Sequence, residues 1–430
     1  MSPFTAEVAS ALRGPEWLRA RRLAAAERFS DLCLPTESEE IWRYSRIGDL
    51  DLGAYSPEGP AAVGTGGDVD SLPAELRSVV AVAGPHAAFV VMRNGRVALA
   101  HVDPALAARG LVVADAADLD DGNELVGRVT GNEADAFGEL NNAFLPGALV
   151  VRLPAGVEIE LPLLVFHWID GDGLASFPRT VIEAGPDSGA TVVEYQSSGD
   201  VAAFVDPVVE LSLGQAARLR YLNVQDLGPR VWHVGHQVSE VGRDATLRSS
   251  VVALGGSYAR VRTDSRITGQ GGTTELNAVY FADGDRMHDF RTLQDHVGPS
   301  STSDLLFKGA VQDRGRSVYS GLIRVNKAAR GTNAYQTNRN LVLSEGAEAS
   351  SVPNLEIDTD DVRCSHASSV GPIDEEHRYY LESRGVPPEV AERLIVLGFF
   401  GEVLDRLPVP SLVGTIRTSL AGRLARSGDA

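Results

Sequence analysis

The alternation of apolar and polar positions changes period along the chain, and three regions separate on that basis. Up to residue 146 the pattern is mixed. Thr5 reads as a helix cap, Gly14-Pro15 as a break, and Pro15 suits the first turn of a second helix. In that helix Leu18, Ala25, Ala26 and Phe29 share a face. The run Pro35-Thr36-Glu37-Ser38-Glu39-Glu40-Ile41-Trp42-Arg43-Tyr44 follows as a turn with aromatic anchors. Glycine and proline thicken from Tyr55 to Pro73, the mark of a loop or linker. Residues 79–100 predict short strands around an Asn94-Gly95 turn, and residues 106–119 and 132–141 predict mixed or helical structure.

From residue 147 to 372 the chain is rich in Val, Leu, Thr and Ser, in short alternating runs between Gly, Asp and Pro. A loose repeat is visible. The segments beginning at Gly189, Gly214, Gly242 and Gly272 each pass from glycine through small residues into an alternating strand. Their final apolar positions, 192, 219, 247 and 276, are spaced 27, 28 and 29 residues apart. Strands recurring at a few tens of residues predict a solenoid, in which each coil places small residues at tight corners and stacks its strand on the coil before. A propeller blade needs about four strands and a longer period. The expected core is therefore a parallel β-helix.

Residues 373–430 return to helical spacing. Asp374-Glu375-Glu376 opens a helix with acid in its first turn, and Gly385 can end it. After Pro387-Pro388, the positions Val390, Leu394, Leu397, Leu404 and Leu407 mark an amphipathic helix stopped by Pro408 and Pro410. Ile416, Leu420 and Leu424 mark a last helix, with Arg417, Arg423 and Arg426 outward or near its end. Such a helical hairpin can cap a solenoid or bind a partner.

Composition narrows the function classes. At roughly 150 residues per domain, 430 residues make two or three domains or one long core with appendages. A formal charge of −19 argues against nucleic acid and anionic membrane as partners. No apolar run approaches the ~18 residues of a membrane span, and no basic segment leads into an apolar run at the N-terminus. Cys33 and Cys364 are the only cysteines. Two distant thiols exclude a disulfide framework and fit a cytoplasmic protein, and without a CxxC pair no local zinc or iron–sulfur site is built from cysteine alone.

The most pointed chemistry is Asp360-Asp361-Val362-Arg363-Cys364-Ser365-His366. On a strand, Cys364 and His366 share a face at roughly 7 Å between Cα atoms. Thiolate and imidazole suit iron or zinc, but two ligands leave a site open for a second chain to complete. The same pair also reads as a small buried hydrophobe beside a satisfied histidine, or, less naturally at this spacing, as a Cys–His nucleophile. In Trp232-His233-Val234-Gly235-His236 the two histidines point to opposite faces of a strand. Residues 283–289, Asp-Gly-Asp-Arg-Met-His-Asp, lack calcium-loop spacing and a closing Glu, and read as a charged turn. Gly269-Gln270-Gly271-Gly272 is not followed by GK[ST], so no ATP hydrolysis is expected.

A set of ordered motifs from Gln294 to Leu407 carries a family resemblance. These are Asp295-His296 through Ser303 to Phe307-Lys308-Gly309, then Gly321 to Val325 and Gln336-Thr337-Asn338-Arg339-Asn340-Leu341. Pro353 to Ile357, Asp361-Val362-Arg363-Cys364-Ser365-His366 and Tyr380 to Gly385 complete the series. Together they resemble the SufB/SufD family of iron–sulfur cluster assembly proteins, and Pro35–Tyr44 resembles the N-terminal motif of the SufD branch. SufB members carry more cysteines and a Cys-x-His-Glu-Ala run. Here Ala367-Ser368 follows His366, so the chain is more similar to SufD, with the SufB branch as the alternative.

The resemblance implies a mainly β fold, with a right-handed parallel β-helix flanked by N-terminal and C-terminal helical domains at 1–146, 147–372 and 373–430. It implies a non-catalytic scaffold subunit that joins SufB and the ATPase SufC, or pairs with a second copy of itself. It implies a transient iron–sulfur cluster shared with SufB, with His366 and the adjacent Cys364 as this chain's half of the site. Reduced flavin belongs to what the family implies, although no motif here locates it. The helices after residue 373 would dock SufC, with Tyr380, Arg384, Gly385, Leu394 and Leu397 as candidate contacts. A subunit that stabilises SufB without touching the cluster is the rival reading. A secreted β-helix lyase or hydrolase finds no signal peptide and no acid cluster in its favour.

Overall fold

The computed structural model describes residues 3–57, 73–131 and 135–426. Most of the glycine- and proline-rich stretch expected as a linker, residues 58–72, lies outside the described residues, as do residues 132–134 and the side chain of Arg426.

Between residues 88 and 371, strands are dealt alternately to two long sheets. The ten-stranded sheet starts at the hairpin Arg96–Val102/Ala88–Arg93. It continues through Leu163–Ile169, Gly189–Ser198, Arg218–Asp226, Thr246–Ala253, Thr273–Ala282, Thr302–Val311 and Thr332–Val342, and it ends on Val362–Gly371. The eleven-stranded sheet ends on Glu348–Ile357. Neighbours along both sheets are parallel apart from the first pair of each. The core is thus a parallel β-solenoid with helices at both ends of the chain, as expected. Asn94 and Gly95 sit at φ 50° and 83°, the left-handed pair that a two-residue hairpin turn demands.

The expected repeat is real, but its register differs. Val192 stands beside Tyr221, Leu219 beside Leu247, and Leu247 beside Thr274, so the true steps are 29, 28 and 27. Val192 and Leu219 are two residues out of line, as are Leu247 and Leu276. An even slip leaves every side chain on its own face, which is why the hydrophobic pattern reported the solenoid correctly and the pairing incorrectly.

The inner faces of the sheets meet through Val251, Leu276, Phe290, Leu305, Phe307 and Tyr319. The outer face of the eleven-stranded sheet receives the N-terminal segments, with Phe4, Trp42, Phe137 and Phe144 against Phe177, Phe204, Tyr258 and Met287. Trp42 is the anchor of its motif. The Arg260 guanidinium lies 3.7 Å from its ring centre, while Arg260 and Arg291 donate to the carbonyls of Ile41 and Arg43.

The C-terminal helices Glu375–Ser383, Pro388–Leu404 and Pro410–Arg426 do not cap the stack. The second and third lie along the outer face of the ten-stranded sheet, where Val252, Leu254, Val279, Phe281 and Leu306 form an apolar strip that takes Val396, Phe400, Val403, Ile416 and Leu420. Leu407, expected inside the middle helix, falls beyond its end. It precedes Pro408, and a residue before proline disfavours helical backbone. Pro410 begins the last helix rather than blocking it. Arg423, expected outward or near the end of the last helix, lies near that end but is 8% exposed and turned inward, because Asp226 on the sheet accepts its hydrogen bond.

Candidate functional site

The two ends of the solenoid differ. At the N-terminal end both sheets close on antiparallel strands. At the C-terminal end, among the described residues, Val362–Gly371 pairs only with Thr332–Val342, and Glu348–Ile357 only with Arg316–Val325. Each terminal strand therefore presents a row of unpaired backbone groups. Val352, Leu355, Ile357 and Val370 are exposed on this last coil, and Tyr335 on the coil beneath.

Cys364 and His366 stand on the inner face of that rim. Cys364 pairs in register with Ala334, His366 with Gln336 and Ser368 with Asn338. Cys364 packs against Ile323, Val325, Ala329 and Ala334. Burial pushes its thiol above the usual range, against a smaller lowering from the Ala334 backbone, so the thiolate that would bind metal or attack a substrate is disfavoured. His366 has no coil above it and is exposed. Among the described residues no hydrogen bond joins the pair, and no three His, Cys, Asp or Glu side chains gather as a metal site. What this chain offers is one accessible imidazole beside a protonated thiol.

The inner face changes character toward the rim. Along one ladder Leu276 and Leu305 give way to Gln336 and His366, and along the next Ala278 and Phe307 give way to Asn338 and Ser368. Asn338 donates to Tyr280 Oη at 2.9 Å, Tyr280 donates to Asn340 Oδ1 at 2.7 Å, and Asn340 donates back to Asn338 at 2.7 Å. Gln336, Asn338 and Asn340 belong to the motif Gln336–Leu341, which carries no catalytic or metal-ligand pattern of its own. Their two-residue spacing was the available signal that polar side chains enter the interior here.

The other expected candidates resolve into structure. His233 lies inside the solenoid, its Nδ1–H donating to the Arg260 carbonyl at 3.2 Å, and burial lowers it to about 4. His236 points outward to Asp264 at 3.1 Å. In residues 283–289 each carboxylate already faces arginine: Asp283 meets Arg286, Asp285 meets Arg314, and Asp289 meets Arg260 and Arg291. Gly269 is a corner where coils touch, since a Cβ there would lie 2.0 Å from the Arg243 nitrogen.

Of the candidate docking residues, Tyr380 is 57% exposed with the Arg384 guanidinium 5.0 Å from its ring centre. Tyr379, Glu375, Glu376 and Ser383 flank it along a shallow groove. Gly385 ends the helix at φ 84°. Leu394 is exposed, whereas Leu397 packs partly against the core.

Comparison with known proteins decides the family. The SufBD core domain of the SUF system for FeS cluster assembly matches residues 167–399. The chain belongs to the SufBD family. That match includes Cys364, His366 and the helix Glu375–Ser383. An iron–sulfur cluster assembly SufBD family protein of Mycobacterium leprae is 37% identical over 260 residues, which span 55% of this chain and 65% of that protein. The iron–sulfur cluster assembly protein SufD of Escherichia coli is 29% identical over 68% of this chain and 70% of its own length. SufD of Bacillus subtilis is 26% identical over 92% of this chain and 91% of its own. SufBD-family proteins serve SUF iron–sulfur cluster assembly, which places this chain as a subunit of that system. Among its described residues no helix is long and apolar enough to cross a membrane.

Proposed function

We propose that this chain is the SufD-type scaffold of a cytoplasmic SUF complex, without a catalytic centre of its own, and that it presents His366 to an iron–sulfur cluster nascent at the junction with a SufB-like subunit. The observation that carries this reading is the open end: two terminal strands, each paired along one edge only among the described residues, frame an accessible imidazole on the inner rim. A partner's edge strands satisfy the exposed backbone groups by strand addition, and its own ligands complete the site. The cluster is cargo, built there and passed on. The ligand role centres on His366, the accessible member of the pair, with the half-buried Cys364 beside it in the same half-site. Relatives named SufD match the chain over most of its length, in support of the SufD branch over SufB.

In this reading the exposed face of Glu375–Ser383, with Leu394 beside it, docks a SufC-like ATPase. Closure of the ATPase pair then pulls on helices that are fastened to the solenoid and shifts the rim between two arrangements. A second copy of this chain can occupy the same open end when the SufB-like subunit is absent. A purely structural role, in which the rim binds a partner but the imidazole stays idle, is the competing reading, and the lack of a complete ligand set among the described residues is what favours it.

The test is reconstitution of the complex with SufB-like and SufC-like subunits under anaerobic conditions, supplied with ferrous iron and sulfide and followed by absorbance and metal analysis. His366→Ala is expected to cut cluster yield at least tenfold with the complex intact. Wild-type yield from that variant overturns the ligand role. Deleting residues 373–430 is expected to abolish ATPase binding, and retained binding overturns the docking assignment.

A further inference from the structure

Directly beneath His366 the interior holds an amide whose oxygen has no donor. Gln336 is its register partner on the strand Thr332–Val342 and is 1% exposed. The amide oxygen of Gln336 has no hydrogen-bond partner among the described residues. A buried amide left in this condition costs on the order of 1–3 kcal/mol. Shape does not require it, because the two preceding positions of the same ladder are Leu305 and Leu276.

The surroundings keep the amide oxygen free. The amide lies over Gly321, where a Cβ would come within 2.6 Å of Gln336 Nε2 and 2.2 Å of Tyr319 Oη. The amide nitrogen faces Tyr319, and its contact with that hydroxyl acts to lower the phenol's pKa, while Oη lies 3.1 Å from Thr292 Oγ1; the amide oxygen is left without a donor. The neighbouring amides Asn338 and Asn340 are consumed by their ring with Tyr280. Adjacent strands are only ~4.8 Å apart, so the next polar group toward the rim on this ladder is the His366 imidazole.

We infer that Gln336 is a positioning residue for His366. Once a partner covers the terminal coil and displaces water, the Gln336 amide oxygen accepts a hydrogen bond from the inward ring N–H of His366. That bond holds the proton on the inward nitrogen and leaves the lone pair of the other nitrogen facing the rim. A ligating histidine held through its second nitrogen is fixed in tautomer and orientation. The inference rests on the ligand reading of His366 given above.

The experiment compares Gln336→Leu, Gln336→Glu and His366→Ala in the full chain. Each is reconstituted with the SufB-like and SufC-like subunits and supplied with ferrous iron and sulfide. Gln336→Leu is expected to lower cluster yield ~10-fold, the scale of losing a histidine's outer partner. Its melting temperature should be equal to or above that of the parent chain, since an unmet amide has been removed. Gln336→Glu keeps an acceptor oxygen in place and is expected to restore at least half of the yield. Wild-type yield from Gln336→Leu, with His366→Ala deficient, overturns this inference and leaves the ligand role standing. Loss of yield together with a lowered melting temperature and no recovery by Gln336→Glu makes Gln336 a structural residue and also overturns it. Wild-type yield from His366→Ala removes the ligand role, and the positioning role with it.

Discussion

Ser368 Oγ donates to Ser351 Oγ at 2.7 Å, joining the last strand of one sheet to the last strand of the other across the open end of the solenoid. The bond fixes the sense of the rim: Ser368 points inward, so His366, two residues earlier on the same strand, does as well. An exposed neutral hydrogen bond contributes about 0.5–1.5 kcal/mol. Ser368→Ala is expected to lower the urea unfolding free energy by no more than about 1 kcal/mol and to leave cluster yield in the reconstituted complex unchanged. A loss of yield equal to that of His366→Ala would show that the rim acts as a whole, with no special role for the imidazole.

The middle C-terminal helix is pinned to the solenoid by a largely buried lysine. Lys308 Nζ donates to the Phe399 carbonyl at 3.0 Å, pairs with Glu402 at 2.7 Å and lies 4.8 Å from the Phe399 ring centre. Glu402 is half exposed, so removing the lysine charge strands no buried anion. Lys308→Met keeps the apolar stem and deletes the pin. Hydrogen exchange is expected to accelerate several-fold across Pro388–Leu404 while the strands of the solenoid interior keep their protection. Unchanged exchange in that helix would mean that the apolar contacts of Val396, Phe400 and Val403 hold it unaided, and that a pull on the helix reaches the sheet through packing alone.

Much of the fold was legible because its signals are local. Alternation with a regular spacing announced the coils, Asn94-Gly95 announced a hairpin, and Asp374 with Gly385 announced the limits of a helix. Register was not legible, because Val192 beside Tyr221 and Val192 beside Leu219 satisfy the same hydrophobic pattern. Arg423 stands near a helix end, as its spacing indicated, but its inward turn was not legible, because the carboxylate that draws it inward lies on a strand almost 200 residues away. At the site, the shared face of Cys364 and His366 followed from spacing. Whether any coil lies above them did not, since that depends on where the following helices go. The unmet amide oxygen of Gln336 was invisible as well, because its surroundings are set by Gly321 and Tyr319 across the interior.

Three interior histidines make the solenoid sensitive to mild acid. Burial lowers His233 to about 4, His288 to about 3 and His296 to about 4. Their partners are the Arg260 and Phe281 backbone and the hydroxyls of Ser301 and Ser303. Unfolded histidine titrates near ~6.5, so below that pH the unfolded chain binds more protons than the folded one. Stability is therefore full above ~6.5 and is lost as pH falls toward 4, at about 1.4 kcal/mol per pH unit for each histidine. Asp264 and Asp289 are held below the usual carboxylate range by their His and Arg partners despite burial, so their contribution is lost only at lower pH. Urea unfolding at pH 7, 6 and 5 is expected to show a falling midpoint, with a shallower fall in His288→Gln. A midpoint constant from pH 7 to 5 would mean that water reaches the interior imidazoles.

The two cysteines report on opposite parts of the molecule and can locate the partner. Cys33 is exposed near the end of the helix Glu16–Ser30, on the side of the chain that packs against the eleven-stranded sheet. Cys364 is half buried at the open end, with its thiol raised by burial. Alkylation requires the thiolate, so iodoacetamide at neutral pH is expected to modify Cys33 first and Cys364 several-fold more slowly. Adding the SufB-like subunit should slow Cys364 further and leave Cys33 as it was, because strand addition at the rim covers only the former. Adding the ATPase alone should change neither if it docks on Glu375–Ser383 as proposed. Protection of Cys33 in place of Cys364 would move the interface to the N-terminal side and remove the open end from the assembly.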